Sequence, residues 1–239
     1  MTEFLPLAAA ALFAGTVSSV VGLAGGSLLL LGLLGVYPSE IALPIYALAW
    51  LGNDALRALA FRNKLDFSIL VPFSAGSAVG VGLASLVYVP FSTPILLIFL
   101  GLIVLAATWI PTENAPAPTR REYAMLGALI GFCGVFAGIS ALLVAPFLLR
   151  AHLDKEAFIG TKAACQIVMR AGTVLVYFHH GFDAAPHSSL ILTLLAASAL
   201  GIFAGKHVLS LLERETMRRA VQTATTALAC RLLYACIVG

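Results

Sequence analysis

Apolar residues fill eight long stretches of this chain, and short polar breaks separate them. A transmembrane helix needs about 20 consecutive apolar residues, and most of these stretches are close to that length or longer. The pattern therefore predicts an all-α polytopic membrane protein. The longest and most polar break, residues 112–122, is the natural linker between two halves of four stretches each. The stretches run over 4–36, 40–61, 67–89, 93–110, 123–149, 157–178, 188–212 and 217–238.

Composition supports the same class of protein. Hydrophobic residues make up 61% of the 239 positions and charged residues only 10%, whereas a soluble domain carries about 25% charged residues. The net charge of +3 is small and is divided among short loops, so we expect no nucleic-acid partner. The expected partners are the lipid bilayer and a small substrate, and a homo-oligomer is left open.

The two halves resemble each other, which predicts an internal repeat. The offset between matched positions grows from 116 to 117 to 121, as short insertions would produce. We predict a first repeat over residues 1–111 and a second over 123–239, within one integral membrane domain. The matched segments are Gly15 to Gly22 with Gly131 to Gly138, Leu65-Asp66 with Phe182-Asp183, and Gly76 to Gly80 with Ala197 to Gly201.

The first stretch of each half is too long for one crossing. Residues 4–36 are interrupted near their middle by Gly22-Leu23-Ala24-Gly25-Gly26, and clustered glycines favour a break in a helix. One shape that fits is a long, kinked span. The other is a re-entrant helical hairpin, whose non-helical tip would have to face protein or a water-filled cavity.

Loop charge favours the hairpins. Cytoplasmic loops carry an excess of Lys and Arg. With eight crossings, four basic loop residues face one side and six the other, which gives no orientation. If 4–36 and 123–149 are hairpins, all ten fall on one side. The ten are Arg62, Lys64, Arg120, Arg121, Arg150, Lys155, Lys206, Arg214, Arg218 and Arg219.

The hairpin topology has consequences for the whole chain. Each half then has a re-entrant or broken helix hairpin plus three transmembrane helices, and the odd number of crossings makes the two repeats inverted. Both termini are extracytoplasmic, and the hairpin tips meet near the midplane of the membrane. Inverted repeats with broken helices at the midplane are a recurring architecture of secondary transporters.

Lys162, Gln166 and Arg170 form one polar stripe within an apolar stretch, because their spacing is i, i+4, i+8. Thr161 lies beside its inner end. In one interpretation Lys162 snorkels to the cytoplasmic surface and Arg170 pairs with an acid such as Asp54, which lies 116 positions earlier. In the other, the stripe lines a path for an anion, whose charge would offset the excess of buried cations.

Asn53, Asp54 and Arg57 form a second polar group inside the apolar stretch 40–61. Asp54 and Arg57 are spaced i, i+3 and can pair locally, which is the structural interpretation. The alternative makes Asp54 a proton carrier that couples transport to a proton gradient. Arg231 is the remaining basic residue that we do not count among the ten loop residues, and we assign it no role.

The segment Gly22-Leu23-Ala24-Gly25-Gly26-Ser27 resembles the glycine-rich element of the TauE/SafE sulfite exporter family of membrane permeases. Gly160-Thr161-Lys162 resembles the Thr-Lys stretch in the second half of that family. Ser140-Ala141-Leu142 departs from the family pattern, since a glycine run is expected there. The resemblance implies transport of a small sulfur-containing anion such as sulfite, sulfoacetate or another organosulfonate.

We therefore expect a secondary transporter of the inner membrane that exports such an anion by alternating access. A permease for another small anion or carboxylate is the alternative, and an intramembrane serine hydrolase with Ser140 as nucleophile and Lys162 as base is a second. We expect no enzyme activity, no cofactor and no metal, since His179, His180, Asp183 and His187 are assigned to loops. The candidate substrate-binding residues are Gly22, Ala24, Gly25, Gly26, Ser27, Ser140, Thr161, Lys162, Gln166 and Arg170.

Overall fold

The computed structural model describes residues 5–21, 25–88, 116–138 and 150–209, together with residues 102, 144, 147, 148, 223 and 226. Within these ranges the chain forms helices and no strand, so the predicted all-α class is confirmed for them. The stretches 93–110 and 217–238 lie almost wholly outside the described residues. The helices are α1 (Leu5–Val21), α2 (Gly25–Leu34), α3 (Ser39–Ala60), α4 (Phe67–Leu86), α5 (Arg120–Ala137), α6 (Lys155–His179) and α7 (Ser188–Leu209).

The first apolar stretch is broken into two helices that pack on each other. A Cβ added to Gly25 at the start of α2 would lie 2.8 Å from the Cβ of Ser18, near the end of α1. Further along α2, a Cβ at Gly32 would lie 3.5 Å from a methyl carbon of Leu7, near the start of α1. The second helix therefore runs back along the first, and α1 and α2 form a helical hairpin rather than one kinked helix.

A capping box begins α5 earlier than the polar pattern predicts. The hydroxyl of Thr119 accepts from the backbone N–H of Glu122 at 3.3 Å, and the Glu122 carboxylate accepts from the backbone N–H of Thr119 at 2.6 Å. This reciprocal pair stabilises a helix start. Arg120 to Glu122, predicted as the end of the linker, are therefore the first turn of α5.

Two pairs of helices approach so closely that only glycine fits at the contact. A Cβ at Gly80 of α4 would overlap the carbonyl oxygen of Ala128 in α5, and a Cβ at Gly201 of α7 would overlap that of Leu12 in α1. Close packing through small residues is typical of helix association in membranes. Each pair joins one helix of the first half to one of the second.

The connections between helices meet in two groups. The ring of Tyr37 contacts that of His187 at 6.2 Å, and the ring of Tyr88 contacts that of His180 at 4.7 Å; we call this group the aromatic end. At the other group, which we call the basic end, Lys64 lies 3.5 Å from Asp154, and Arg150 donates to the carbonyl of Pro116 at 2.8 Å. Each of the two ends therefore contains three of the connections that the structure describes.

Among the described helices, two are long and apolar enough by composition to cross a membrane, Phe67–Leu86 and Ala185–Gly205. The helices α3 and α6 are also long, with 22 and 25 residues, but they carry polar and charged side chains. These side chains are buried where α3 and α6 pack together. The polar residues are therefore enclosed by protein.

Candidate functional site

Three charged side chains form an ion cluster between α3 and α6. Asp54 Oδ1 accepts a hydrogen bond from Arg57 Nη2, and Asp54 Oδ2 accepts one from Arg170 Nε at 2.9 Å. Arg57 Nη1 also donates to the hydroxyl of Ser18 in α1 at 2.8 Å. Each of the three charged side chains is at most 2% exposed. Both ion pairs considered from the sequence are therefore present.

Lys162 lies about two turns and Gln166 about one turn before Arg170 on the same face of α6, as the spacing predicts. Lys162 is only 2% exposed and Gln166 only 1%. Since protein encloses Lys162, the interpretation in which it snorkels to the surface is wrong. The polar stripe of α6 instead continues the buried cluster along the helix.

Thr161 has a different environment from its neighbour. Its hydroxyl accepts a hydrogen bond from the backbone N–H of Asp66 at 2.9 Å. Asp66 caps the start of α4, because its carboxylate accepts from the backbone N–H of Ser68. Thr161 thereby anchors the connection between α3 and α4, so we assign it to the fold.

An aromatic pair lines the cluster on α3. Tyr46 and Trp50 stack with their ring centroids 5.8 Å apart, and the guanidinium carbon of Arg170 lies 5.0 Å from the centroid of Tyr46. A cation over an aromatic face is attracted by the ring quadrupole, more strongly when water is excluded. Tyr46, which stacks on Trp50, thus helps to hold the Arg170 side chain.

The first turn of α2 touches both parts of this site. A Cβ added to Gly26 would lie 2.6 Å from Tyr46 Oη and 3.0 Å from Trp50 Nε1. Gly25 packs against Ser18, the residue that accepts from Arg57. The first N–H groups of a helix have no partner within it and carry partial positive charge, which suits an anion. Gly25, Gly26 and Ser27, all buried, supply these groups.

The end of α5 reaches the same region from the second half. The helix stops at Gly138, which has a left-handed conformation with φ of +66° that suits glycine. A Cβ there would lie 3.4 Å from Leu30 of α2 and 3.4 Å from the ring of Tyr46. The end of α5 and the helix α2 therefore meet at the aromatic pair.

The cluster contains more positive than negative side chains. Among the described residues, the buried cations are Arg57, Lys162 and Arg170, and the one buried carboxylate is Asp54. Asn53 is fully buried beside Asp54, and neither atom of its amide has a hydrogen-bond partner within the described part of the chain. Ionisable groups inside a membrane protein are costly and usually functional. The site is suited to an anion with several oxygens.

Some predicted site residues cannot be placed. Gly22, Ala24 and Ser140 lie outside the described residues, and so does Arg231, to which the sequence assigned no role. Sequence reasoning also missed Tyr46 and Trp50 as parts of the site, since buried aromatics are common in any core. The repeat offset could have found them: Tyr46 and Trp50 precede Lys162 and Gln166 by 116 positions, as Asp54 precedes Arg170. The polar stripe of α6 thus has an aromatic counterpart on α3.

The histidines at the aromatic end pack on rings. His180 contacts Tyr88, and His187 stacks on Phe182 with centroids 6.0 Å apart. No group of three metal-binding side chains occurs within the ranges that the structure describes.

A cationic centre buried among apolar helices is suited to a membrane protein that handles anions. The chain belongs to the sulfite exporter TauE/SafE family, whose model matches residues 7–232, nearly the whole chain. Membership implies a membrane transporter of sulfite or related anions rather than an enzyme. A comparison with curated proteins gave no match.

Proposed function

We propose that the protein is a secondary transporter that exports a small sulfur-containing anion across the inner membrane by alternating access. Sulfite, sulfoacetate and related organosulfonates are the substrates considered. The observation that carries the proposal is the buried cluster of Arg57, Lys162 and Arg170 beside the first turn of α2. In a chain of the TauE/SafE family, such a cluster is suited to binding the transported anion.

In this proposal the anion lies where the two halves meet. The backbone N–H groups of Gly25, Gly26 and Ser27 bind its oxygens, and Lys162 and Arg170 offset its charge. Helix N-termini and basic side chains act together in many anion sites, because both present positive charge to the ligand.

Inverted repeats would supply the mechanism. Helix bounds recur between the halves: α1 ends at Val21 and α5 at Ala137, and α3 begins at Ser39 and α6 at Lys155, each pair 116 positions apart. The glycine contacts recur with the halves exchanged, as in the overlaps of Gly80 with Ala128 and of Gly201 with Leu12 described above. Such symmetry supports rocking of one repeat against the other around a central site.

The grouping of the connections supports the hairpin topology. Residues 37, 88, 180 and 187 meet at one end, and residues 64, 116, 150 and 154 at the other. Eight crossings would instead put the connections at 37 and 187 on opposite sides. Because Lys and Arg are concentrated at the basic end, the positive-inside rule makes that end cytoplasmic and both termini extracytoplasmic.

Counter-flow in proteoliposomes tests the function. Vesicles preloaded with unlabelled anion should accumulate labelled sulfite or sulfoacetate, and acetate serves as the carboxylate comparison. We expect Lys162→Ala to lower exchange far more than it lowers the amount of reconstituted protein. Lys64→Ala, a matched change of an exposed lysine at the basic end, should exchange normally. Exchange of acetate alone would favour a carboxylate permease, and no exchange of any of the anions would reject the proposal.

A further inference from the structure

Asp54 is held by both halves of the protein at once. Its Oδ1 accepts from Arg57 on its own helix, and its Oδ2 accepts from Arg170 Nε, 2.9 Å away on α6. Among the described residues it is the one buried carboxylate, and both of its oxygens pair with buried arginines. The carboxylate therefore occupies a cationic site that is formed between α3 and α6.

The two arginines of this cationic site have N–H donors that the carboxylate does not use. Arg170 Nη2 and Arg57 Nε are buried and have no hydrogen-bond partner among the residues that the structure describes. Nε and Nη2 of one arginine form a fork that matches two oxygens of a single anion. Asp54 engages only the Nε side of the Arg170 fork, so the strongest arginine–anion geometry is not used by the carboxylate.

Asn53 adds a third donor group next to the cationic site. It follows Trp50 by three residues and precedes Arg57 by four, so these side chains lie on one face of α3. Its fully buried amide has donor and acceptor atoms that lack partners in the described ranges. Unpaired buried donors are costly, which favours an added anion with more oxygens than Asp54 offers.

Such an anion would compete with Asp54 for the same partner. Two negative charges in a buried site repel each other strongly, because the interior screens charge weakly. A sulfite or sulfonate group offers three oxygens and can engage both sides of the Arg170 fork. Asp54 would keep Arg57, its neighbour on α3, when it leaves Arg170.

We propose that Asp54 is an internal counter-ion that competes with the transported anion for Arg170, so that anion binding releases the bridge between α3 and α6. The inference rests on the proposed function, since it takes the substrate to be an oxyanion at this site. Because α3 and α6 belong to different halves, the exchange of partners links anion binding to movement of one half against the other.

Fluorescence of Trp50 can report anion binding at the site. The chain has two tryptophans, so Trp109→Phe leaves Trp50 as the single reporter. In that background, titrations with sulfite and sulfoacetate compare Asp54→Asn with Asp183→Asn, the same change at an exposed loop position. We expect Asp54→Asn to lower the dissociation constant about tenfold and Asp183→Asn to leave it unchanged.

An unchanged or higher dissociation constant in folded Asp54→Asn would overturn the inference, because a purely structural carboxylate would give that result. If Asp54→Asn does not yield monodisperse protein, infrared difference spectra of the Trp109→Phe protein with ¹³C-labelled aspartate decide. Binding of sulfite should shift one carboxylate stretching band, and the same shift should be seen in Asp183→Asn. If no carboxylate band shifts, the inference is also overturned. If no anion binds the protein with Asp54 intact, the proposed function fails instead.

Discussion

At the scale of single residues, the site depends on glycines, which allow close contacts, as much as on its polar and aromatic side chains. Gly26 allows the first turn of α2 to lie against the hydroxyl of Tyr46 and the indole N–H of Trp50. Tyr46 in turn lies under the guanidinium group of Arg170. A change at Gly26 would therefore be transmitted through one aromatic ring to the charge that we expect to bind the anion.

Gly26→Ala should weaken anion binding. The added Cβ would lie 2.6 Å from Tyr46 Oη, so the ring or the helix must shift, and Arg170 would lose its position. We expect about a tenfold higher dissociation constant for sulfite, equivalent to about 1.4 kcal/mol, in titrations of the purified protein. Gly32→Ala in the same helix is the control, since its Cβ would meet only Leu7 at an ordinary 3.5 Å. Equal effects of the two changes would show that Gly26 acts only through helix propensity.

The sequence-based prediction was most successful for residues with a regular spacing. Lys162, Gln166 and Arg170 were placed together because a helix brings i, i+4 and i+8 to one face. The partner of Arg170 required a contact between two halves, and Asp54 was only one of the acids considered. The role of Thr161 could not be predicted at all, because it depends on the backbone N–H of Asp66, 95 positions away.

At the scale of helices, ends and contacts are determined by a few polar groups and glycines. Asp154 begins α6, because its carboxylate accepts from the backbone N–H of Ala157 at 2.7 Å. This hydrogen bond lowers the pKa of Asp154 below its ordinary value, with a further contribution from Lys64. The helix that carries the polar stripe is thus fixed at the basic end by an ionised cap.

Asp154→Ala should lower the stability of the protein by about 1 kcal/mol at pH 7, the usual cost of losing such a cap. Because the folded pKa is below the unfolded one, this stabilisation is present above the unfolded pKa of about 3.9 and is lost as pH falls through the folded value. Asp154→Asn keeps the cap without titrating. Thermal unfolding in detergent should show the wild-type chain losing stability relative to Asp154→Asn only at acid pH; a constant difference would contradict this account.

Gly80→Ala should destabilise the contact between α4 and α5. Its Cβ would overlap the carbonyl oxygen of Ala128, and overpacking of this kind costs about 1–3 kcal/mol. For a chain of this size we expect a melting temperature lower by several degrees, about 2–4 °C per kcal/mol. Gly82→Ala in the same helix has nothing within 4 Å of its Cβ and should be neutral or slightly stabilising. A loss of similar size at Gly82 would mean that the close contact is not the cause.

At the scale of the whole molecule, the pattern of apolar stretches predicted most of the described helices within a few residues. The stretch 40–61 became α3 (Ser39–Ala60), and 188–212 contains α7 (Ser188–Leu209). Hydrophobicity indicates that a segment is buried, but it does not show against which helix it packs. The pairing of α1 with α7 and of α4 with α5 depends on glycine contacts between distant segments, which a single sequence does not display.

The orientation of the chain in the membrane can be tested by cysteine labelling. Ser39, the first residue of α3, is buried, so the exposed Val36 is the better position at the aromatic end. In intact cells, Val36→Cys and Asp183→Cys should both react with a membrane-impermeant maleimide, whereas Asn63→Cys at the basic end should react only after the membrane is opened. The native cysteines, two of which are Cys133 and Cys165, are replaced beforehand by serine or alanine. Eight crossings would place residues 36 and 183 on opposite sides, so labelling of only one of them in intact cells would exclude the hairpin topology, and with it the inverted repeats on which alternating access depends.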